Sequence, residues 1–516
     1  MKPSNALASL PRLLVSAAHK SSGKTTVTLG LCAALRDQGL KVQPFKKGPD
    51  YIDPMWLAEA AGAPCFNLDA YLMDEAALMG CFSQAAKGAD LCVVEGNKGL
   101  YDGLALDGSN SNAALARQLG APVLLVIDAR GMTRGIAPLI LGYQAFDPSI
   151  RIGGVILNRL GGARHEAKLR AVIEHYTTVP VLGAVAEDPR LALQERHLGL
   201  MTCAEVAEGA EGGALRARVQ AIGRIIASQV DLAAVQALAA SAAPALPGGW
   251  SVRDAAPKAA MAAMAAEPAG VGLATARGPR LRIGIARDRA FGFYYPDDLS
   301  ALEAAGAELV PINTLHDTRL PALDGLFIGG GFPETCMQAL QDNVAMRHQL
   351  RAAIEAGLPT YAECGGLMYL SRCIQWDGRS AQMVGVIPGD SVMHARPVGR
   401  GYTHLEETVH MPWAPAGTVV PGSAASDGPG LLRGHEFHHS TLVNLDPTLA
   451  FAYRVRRGHG IDGEHDGVLV HNLLASYTHL RSAAGAAWAP RFMDFVRRER
   501  RLGIEHAHAD HADRVF

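Results

Sequence analysis

Short runs of Val, Leu and Ile recur along the first half of the chain, at Leu13–Ala17, Val42–Phe45, Leu91–Val94, Val123–Ile127, Val155–Leu157 and Val181–Val185. Turn residues bound each run, and Ala-rich or amphipathic stretches of helical period separate them, as from Val27 to Gln38 before Gly39. Unbroken apolar runs alternating with helices predict parallel strands covered on both faces, a doubly wound α/β domain. From about Val235 to Pro279 the pattern dissolves into Ala- and Pro-rich sequence (Ala239–Pro247, Ala255–Ala269), which reads as a tether. A second α/β pattern starts at Leu281–Ala286, continues through Leu326–Ile328 and Pro359–Ala362, and becomes richer in short strands up to about His479. A basic amphipathic helix is predicted over Arg491–Arg501. The tail beyond it, with His506, His508 and His511, reads as a frayed polar end rather than a metal site. The expected segments are 1–235, 236–279, 280–500 and 501–516.

Composition narrows the function classes. A net charge of −2 over 516 residues offers no electrostatic argument for nucleic acid or an anionic membrane as partner. No segment approaches the roughly 20 consecutive apolar residues of a membrane span, and Met1–Arg12 has no signal-peptide core. The 8 cysteines are scattered without a C-x-x-C pair, the pattern of reduced thiols. A cytoplasmic enzyme is expected.

Two motifs carry chemistry. Strand Leu13–Ala17 runs into His19-Lys20-Ser21-Ser22-Gly23-Lys24-Thr25-Thr26 and then a helix, the context a phosphate loop requires. Backbone N–H groups at the helix start bind phosphate oxygens, Lys24 reaches the terminal phosphates, and the Thr25 hydroxyl is placed to ligate Mg²⁺. Ala18 stands where the usual motif has its first glycine. Asp50 and Asp53 follow the second strand, Glu95 ends the third, and Asp102 lies in Gly99-Leu100-Tyr101-Asp102-Gly103. In an open α/β sheet these carboxyl ends line the ligand crevice, so the four acids are expected to converge near Thr25 around Mg²⁺.

The second motif is Ala362-Glu363-Cys364-Gly365-Gly366, between a predicted strand and a predicted helix. A cysteine on such an elbow is an exposed nucleophile, with the N–H of Gly365 and backbone from Gly329-Gly330-Gly331, at Gly331, as oxyanion donors. The base it needs is His479, His435, His438 or His439; spacing alone does not choose. ATP use together with a reactive thiolate points to glutamine-dependent amide formation.

Taken with Phe45-Lys46-Lys47-Gly48-Pro49-Asp50-Tyr51-Ile52-Asp53-Pro54, Asn67-Leu68-Asp69, Glu95-Gly96, Ala286-Arg287-Asp288, Phe293-Tyr294-Tyr295-Pro296, Gly329–Glu334 and Gly434-His435-Glu436-Phe437-His438, the chain resembles the cobyrinate/hydrogenobyrinate a,c-diamide synthase family. The resemblance spans nearly everything but the tether and tail. It implies a phosphate-loop ATPase domain similar to dethiobiotin synthetase, followed by a class I glutamine amidotransferase-like α/β domain. It further implies Cys364 as nucleophile, His479 as its histidine, and Asn158 as an adenine-reading residue beside Gly23, Lys24, Thr25 and Thr26. Asp50, Tyr51, Asp53 and Asp102 become candidates for substrate, and Thr25 with Glu95 for Mg²⁺. Because His479-Leu480-Arg481 lacks an acid two residues on, a Cys–His dyad is expected.

The implied partners are L-glutamine and a polycarboxylate tetrapyrrole; a homodimer stays open. Lys46, Lys47, Arg396 and Arg400 are candidates to pair with the carboxylates, and ammonia needs an enclosed route between the domains. The reaction is amidation of the a- and c-carboxylates of a corrinoid through acyl phosphates. Met55-Trp56-Leu57 and the loop Ala17–Ser22 depart from common corrinoid forms, so the same amidation of sirohaem or sirohydrochlorin is the alternative. Two other readings fit less well. A ligase using free ammonia leaves the Cys364 elbow without a use, and a partitioning ATPase switch needs an early loop lysine where this chain has His19.

Overall fold

A computed structural model describes residues 10–193, 195–196, 199–200, 203, 213–243, 280–413, 431–484 and 487–512, with side chains given up to 193 and from 213 to 502 in those spans, and at 203. The chain divides into two compact units, Met1–Lys258 and Ala259–Phe516. Most of the expected tether lies outside the described residues, as do the last four residues of the tail.

The first unit is built on seven strands: β1 (Arg12–Ala17), β2 (Val42–Lys47), β3 (Phe66–Leu68), β4 (Leu91–Glu95), β5 (Val123–Asp128), β6 (Ile152–Leu160) and β7 (Val181–Ala186). They form one sheet in the order β3-β2-β4-β1-β5-β6-β7, and every pairing is parallel. β1 and β4 are buried at every position, which is why they read as unbroken apolar runs. The order reverses at β1, so the crevice at its carboxyl end is where a doubly wound sheet takes its ligand. Helix α1 (Lys24–Asp37) packs against Ala214–Ala227, with Val27, Leu31 and Leu35 meeting Val219, Ile222 and Ile226 in one core. Helix Leu232–Ala240 carries packed structure beyond residue 235, the expected start of the tether; Val235, Leu238 and Ala239 are buried in the same core.

The second unit holds a nine-stranded mixed sheet. Its order is Ala307–Ile312, Leu281–Ala286, Gly325–Ile328, Thr360–Glu363, Leu473–Ser476, His465–Val470, Ala450–Arg457, Gly399–Glu407, Leu431–His438. The first five strands are parallel and the remainder antiparallel. One apolar cluster, including Tyr361, Trp413, Trp488 and Phe492, covers one face. Another, including Ile328, Leu367, Tyr369 and Tyr477, covers the other. The C-terminal helix runs from Trp488 to Ala512, longer than the expected Arg491–Arg501 at both ends and through most of the expected tail. Its buried anchors Trp488, Ala489, Phe492 and Val496 begin before the basic run that signalled it. Among the described residues no helix is long and apolar enough to cross a membrane.

Candidate active sites

The first site forms where β1 ends. Gly23, the N-cap of α1, has φ 85°, and a Cβ there would stand 2.2 Å from the Asn158 amide nitrogen, so only glycine fits the turn. Ala18 is not among the left-handed residues, so the missing first glycine costs the loop nothing; its carbonyl accepts the Tyr143 hydroxyl. Asn158 is buried and donates to the Ser22 carbonyl at 2.8 Å, and Arg159 donates to Ser21 O at 2.9 Å and to Asp128 at 2.8 Å. Asn158 thus braces the loop through its amide. Thr26 is half-buried, with its hydroxyl 3.4 Å from Leu191 O.

Around Thr25 the structure gathers three of the four expected acids. The Thr25 hydroxyl donates to Glu95 Oε1 at 2.8 Å and lies 3.4 Å from Asp53 Oδ2. Between these carboxylates sits the buried Lys46 ammonium, 2.5 Å from Asp53, 2.8 Å from Glu95 and 3.7 Å from Asp50. Parallel pairing sets Lys46 directly opposite Glu95. Burial works against the Lys46 charge, but Asp53 and Glu95 outweigh it and push the ammonium well above its ordinary range. Burial pushes Glu95 up, with Lys46 opposing. It likewise raises Asp50 to about 7, reinforced by the neighbouring Asp53 carboxylate. Asp53 is held low because Lys46 overcomes its burial. Burial lowers Lys24, partly offset by Glu95. Tyr51 is half-buried at the start of helix Ile52–Ala61.

Asp102 does not join this group. It is exposed and accepts the Gly99 N–H at 2.9 Å, closing a turn that lies against the Ala18 carbonyl. Buried Asn112 holds the same segment through Asn97 O, Gly99 O and Ser16 Oγ. Lys46 and Lys47, expected to reach a substrate's carboxylates, are turned inward instead: Lys47 binds Asn110 O at 2.5 Å and Asn97 Oδ1 at 3.2 Å. Arg396 and Arg400 are exposed, the latter with its guanidinium over the Phe437 ring.

A divalent cation fits this site on one specific ground. Glu95 Oε2 is buried without a hydrogen-bond partner, beside the Thr25 hydroxyl and Asp53. Among the described residues no three His, Cys, Asp or Glu side chains form a metal cage. Mg²⁺ is the cation held by one or two carboxylates that completes its shell with phosphate and water.

The second site is the elbow. Cys364 ends strand Thr360–Glu363 with φ 49° and ψ −101°, a strained conformation for a side chain-bearing residue, and caps helix Gly365–Leu370. Gly365 and Gly366 are required by contact: Cβ atoms there would lie 3.0 Å from Gly331 N and 2.3 Å from Ile328 O. The Gly365 Cα therefore lies against the Gly331 backbone.

Of the four candidate histidines, the structure brings His479 to the sulfur. His479 hydrogen-bonds Cys364 on one side and Glu363 Oε2 on the other, the latter from Nδ1 at 3.1 Å. Burial opposes an imidazolium here, yet the bonds to Cys364 and Glu363 raise His479 to about 10. His435 stacks on its ring at 5.0 Å and is kept neutral, burial and the His479 charge both lowering it. His438 stacks on Tyr477 and bonds Ser440 O, while His439 bonds His394 O. Buried Asp466 accepts the N–H groups of Tyr477 and Thr478, fixing the turn that presents His479. The expected dyad is corrected: an acid does contact His479, and it comes from the residue before the nucleophile.

Residues 14–200 match the CobQ/CobB/MinD/ParA nucleotide binding domain, and residues 282–486 the CobB/CobQ-like glutamine amidotransferase domain. Over 489 residues the chain is 44% identical to a cobyrinate a,c-diamide synthase of Magnetococcus marinus, covering 95% of this chain and 97% of that one. A protein of the same name from Methanosarcina acetivorans is 41% identical over 92% of this chain and 93% of its own. A third, from Listeria monocytogenes serovar 1/2a, is 36% identical over 91% and 96%. With a nucleotide-binding unit, a glutamine amidotransferase unit and near end-to-end likeness to these proteins, the chain belongs to the cobyrinate a,c-diamide synthase family.

Proposed function

We propose that the chain converts the a- and c-side-chain carboxylates of a corrinoid, cobyrinate or hydrogenobyrinate, into amides in cobalamin biosynthesis, spending ATP and glutamine. The observation that carries this reading is the line Glu363–His479–Cys364 at a strained elbow, in a chain that also bears the Thr25–Glu95–Lys46 loop site.

At the elbow, the Cys364 thiolate attacks the side-chain carbonyl carbon of glutamine, with the oxyanion taken by the Gly331 and Gly365 N–H groups. The His479 imidazolium gives its proton to the departing nitrogen, and ammonia leaves a thioester behind. Neutral His479 then takes a proton from water, the water oxygen bonds the carbonyl carbon, and the thiolate departs from glutamate.

At the loop, a substrate carboxylate oxygen bonds the γ-phosphorus of ATP as the bond to ADP breaks, giving an acyl phosphate. Lys24 and the N–H groups beginning α1 hold the phosphate oxygens, and Asn158 fixes the loop that presents them. Thr25, Glu95 and Asp53 would hold Mg²⁺, which when bound neutralises phosphate charge. Lys46 keeps the two carboxylates from repelling one another. Ammonia displaces phosphate at the acyl carbon, leaving the amide; this reading assigns contact with the substrate to Asp50, Tyr51, Asp53 and Asp102. The relatives carry the cobyrinate name and lend no support to the sirohaem alternative, although Met55-Trp56-Leu57 and the loop Ala17–Ser22 differ from common corrinoid forms.

The test is mass spectrometry of cobyrinic acid, hydrogenobyrinic acid, sirohydrochlorin and sirohaem after incubation with the protein, ATP, Mg²⁺ and glutamine. A corrinoid diamide is expected. Turnover of sirohaem without either corrinoid would overturn the substrate assignment.

A further inference from the structure

Many cysteine amidotransferases take the acid that steers their histidine from two residues further along the chain. Here that place is held by Arg481, fully buried, paired with Asp297 at 2.9 Å and lying over the Tyr295 ring. A cation there cannot steady an imidazolium. The groups around His479 are Cys364 and Glu363 from the elbow strand, neutral His435 stacked across from it, and Arg481 on its own segment. Glu363 is the member of that set able to accept from Nδ1 and carry a compensating charge.

Its geometry is fully determined. Glu363 Oε1 accepts the Tyr361 hydroxyl at 2.7 Å and the Leu480 N–H at 3.1 Å, leaving Oε2 for His479. Tyr361 and Glu363 share one face of the strand, and Glu363 pairs in register with Ser476, three residues before His479. With Nδ1 committed to the acid, Nε2 faces the other way. A Cβ on Gly330 would stand 3.4 Å from it, so this edge looks toward the segment bearing the Gly331 amide.

We infer that Glu363 is the positioning acid of the glutaminase site, fixing the ring orientation and tautomer of His479 and stabilising its imidazolium, so that nucleophile and acid are consecutive residues. The inference rests on the glutaminase reading above. Tyr361 and the Leu480 amide orient the carboxylate in turn, so a chain of four groups sets one proton.

The experiment compares wild-type, E363Q and E363D full-length protein. The alkylation rate of Cys364 by iodoacetamide is followed by peptide mass spectrometry as a function of pH, alongside glutaminase kinetics and amidation driven by ammonium. E363Q should raise the midpoint of Cys364 alkylation by at least about one pH unit. It should lower the glutaminase kcat by about 10²-fold or more with little change in KM. Ammonium-driven amidation, which needs no thiol, should persist as the control for an intact fold, and E363D should recover part of both readouts. Wild-type alkylation behaviour or unchanged glutaminase in E363Q would overturn the assignment. So would E363D matching E363Q in every readout, because the charge would then be irrelevant. If wild type itself formed no amide from ammonium, the ligase reading would fall while the alkylation comparison still decided the role of Glu363.

Discussion

Replacing Lys46 with methionine isolates the strongest electrostatic dependence in the first unit. The ammonium is 3% exposed and Glu95 is fully buried. In K46M the buried Glu95 carboxylate loses its cation while one of its oxygens already lacks a partner, and Asp53 loses its 2.5 Å contact. Removing one member of a buried ion pair costs about 3–5 kcal/mol. At about 2–4 °C per kcal/mol for a unit of this size, the melting temperature should fall by about 10 °C.

The loss must depend on pH with a definite sign. In K46M the Glu95 carboxyl has a folded pKa above its unfolded value, so the folded state binds more protons and stability falls as pH rises. The deficit is therefore complete above the raised Glu95 value and disappears below the unfolded carboxylate range, about pH 4. Adding Glu95→Gln removes the charge left stranded and should restore most of the stability. Calorimetry of the full chain reads this directly, the relevant transition being the one that ATP shifts upward. An unchanged transition at neutral pH, or a deficit that does not shrink toward acid, would refute the buried-pair account.

Two further outcomes test the sites separately. Thr25→Ala deletes the hydroxyl bonded to Glu95 and should weaken apparent Mg²⁺ affinity in ATP-driven amidation by about 10–100-fold, read from Mg²⁺ titrations, with glutaminase unchanged. Gly365→Ala places a Cβ 3.0 Å from the Gly331 amide. It should cut the glutaminase rate by about 10²-fold, the scale of one lost oxyanion donor, while ammonium-driven amidation, measured in parallel, continues.

What was legible in the sequence was local. The interior parallel strands are continuous apolar runs, and the phosphate loop and elbow are contiguous strings, so each could be read where it stands. Phe66–Leu68 is three residues long and its first is only half-buried, too little to register as a strand. Ala307–Ile312 is an edge strand buried at its ends and open between, so it has no apolar run to show. The helix Leu232–Ala240 is so rich in alanine that its composition resembles the tether it precedes, and only its packing separates the two.

Two residues misjudged at the sites, Lys46 and Glu363, share one property: their partners are set by strand register. Lys46 read alone is a cation free to meet a substrate; pairing of β2 with β4 puts it opposite Glu95 and turns it into a structural counter-charge. Glu363 read alone is a flank of the cysteine motif; pairing of its strand with Leu473–Ser476 carries His479 to its carboxylate. In both cases a pair of residues 49 or 116 apart in sequence becomes a contact of about 3 Å. A search for the triad acid along the chain from His479 meets Arg481 and stops. A search across the sheet from the nucleophile strand meets Glu363 at once. The strand that presents the cysteine ends at Glu363, and its pairing with Ser476 holds that residue beside the end of the neighbouring strand, where His479 arrives. An acid at that position has the geometry to replace the one missing after the histidine, and in this chain it makes the hydrogen bond that the role demands.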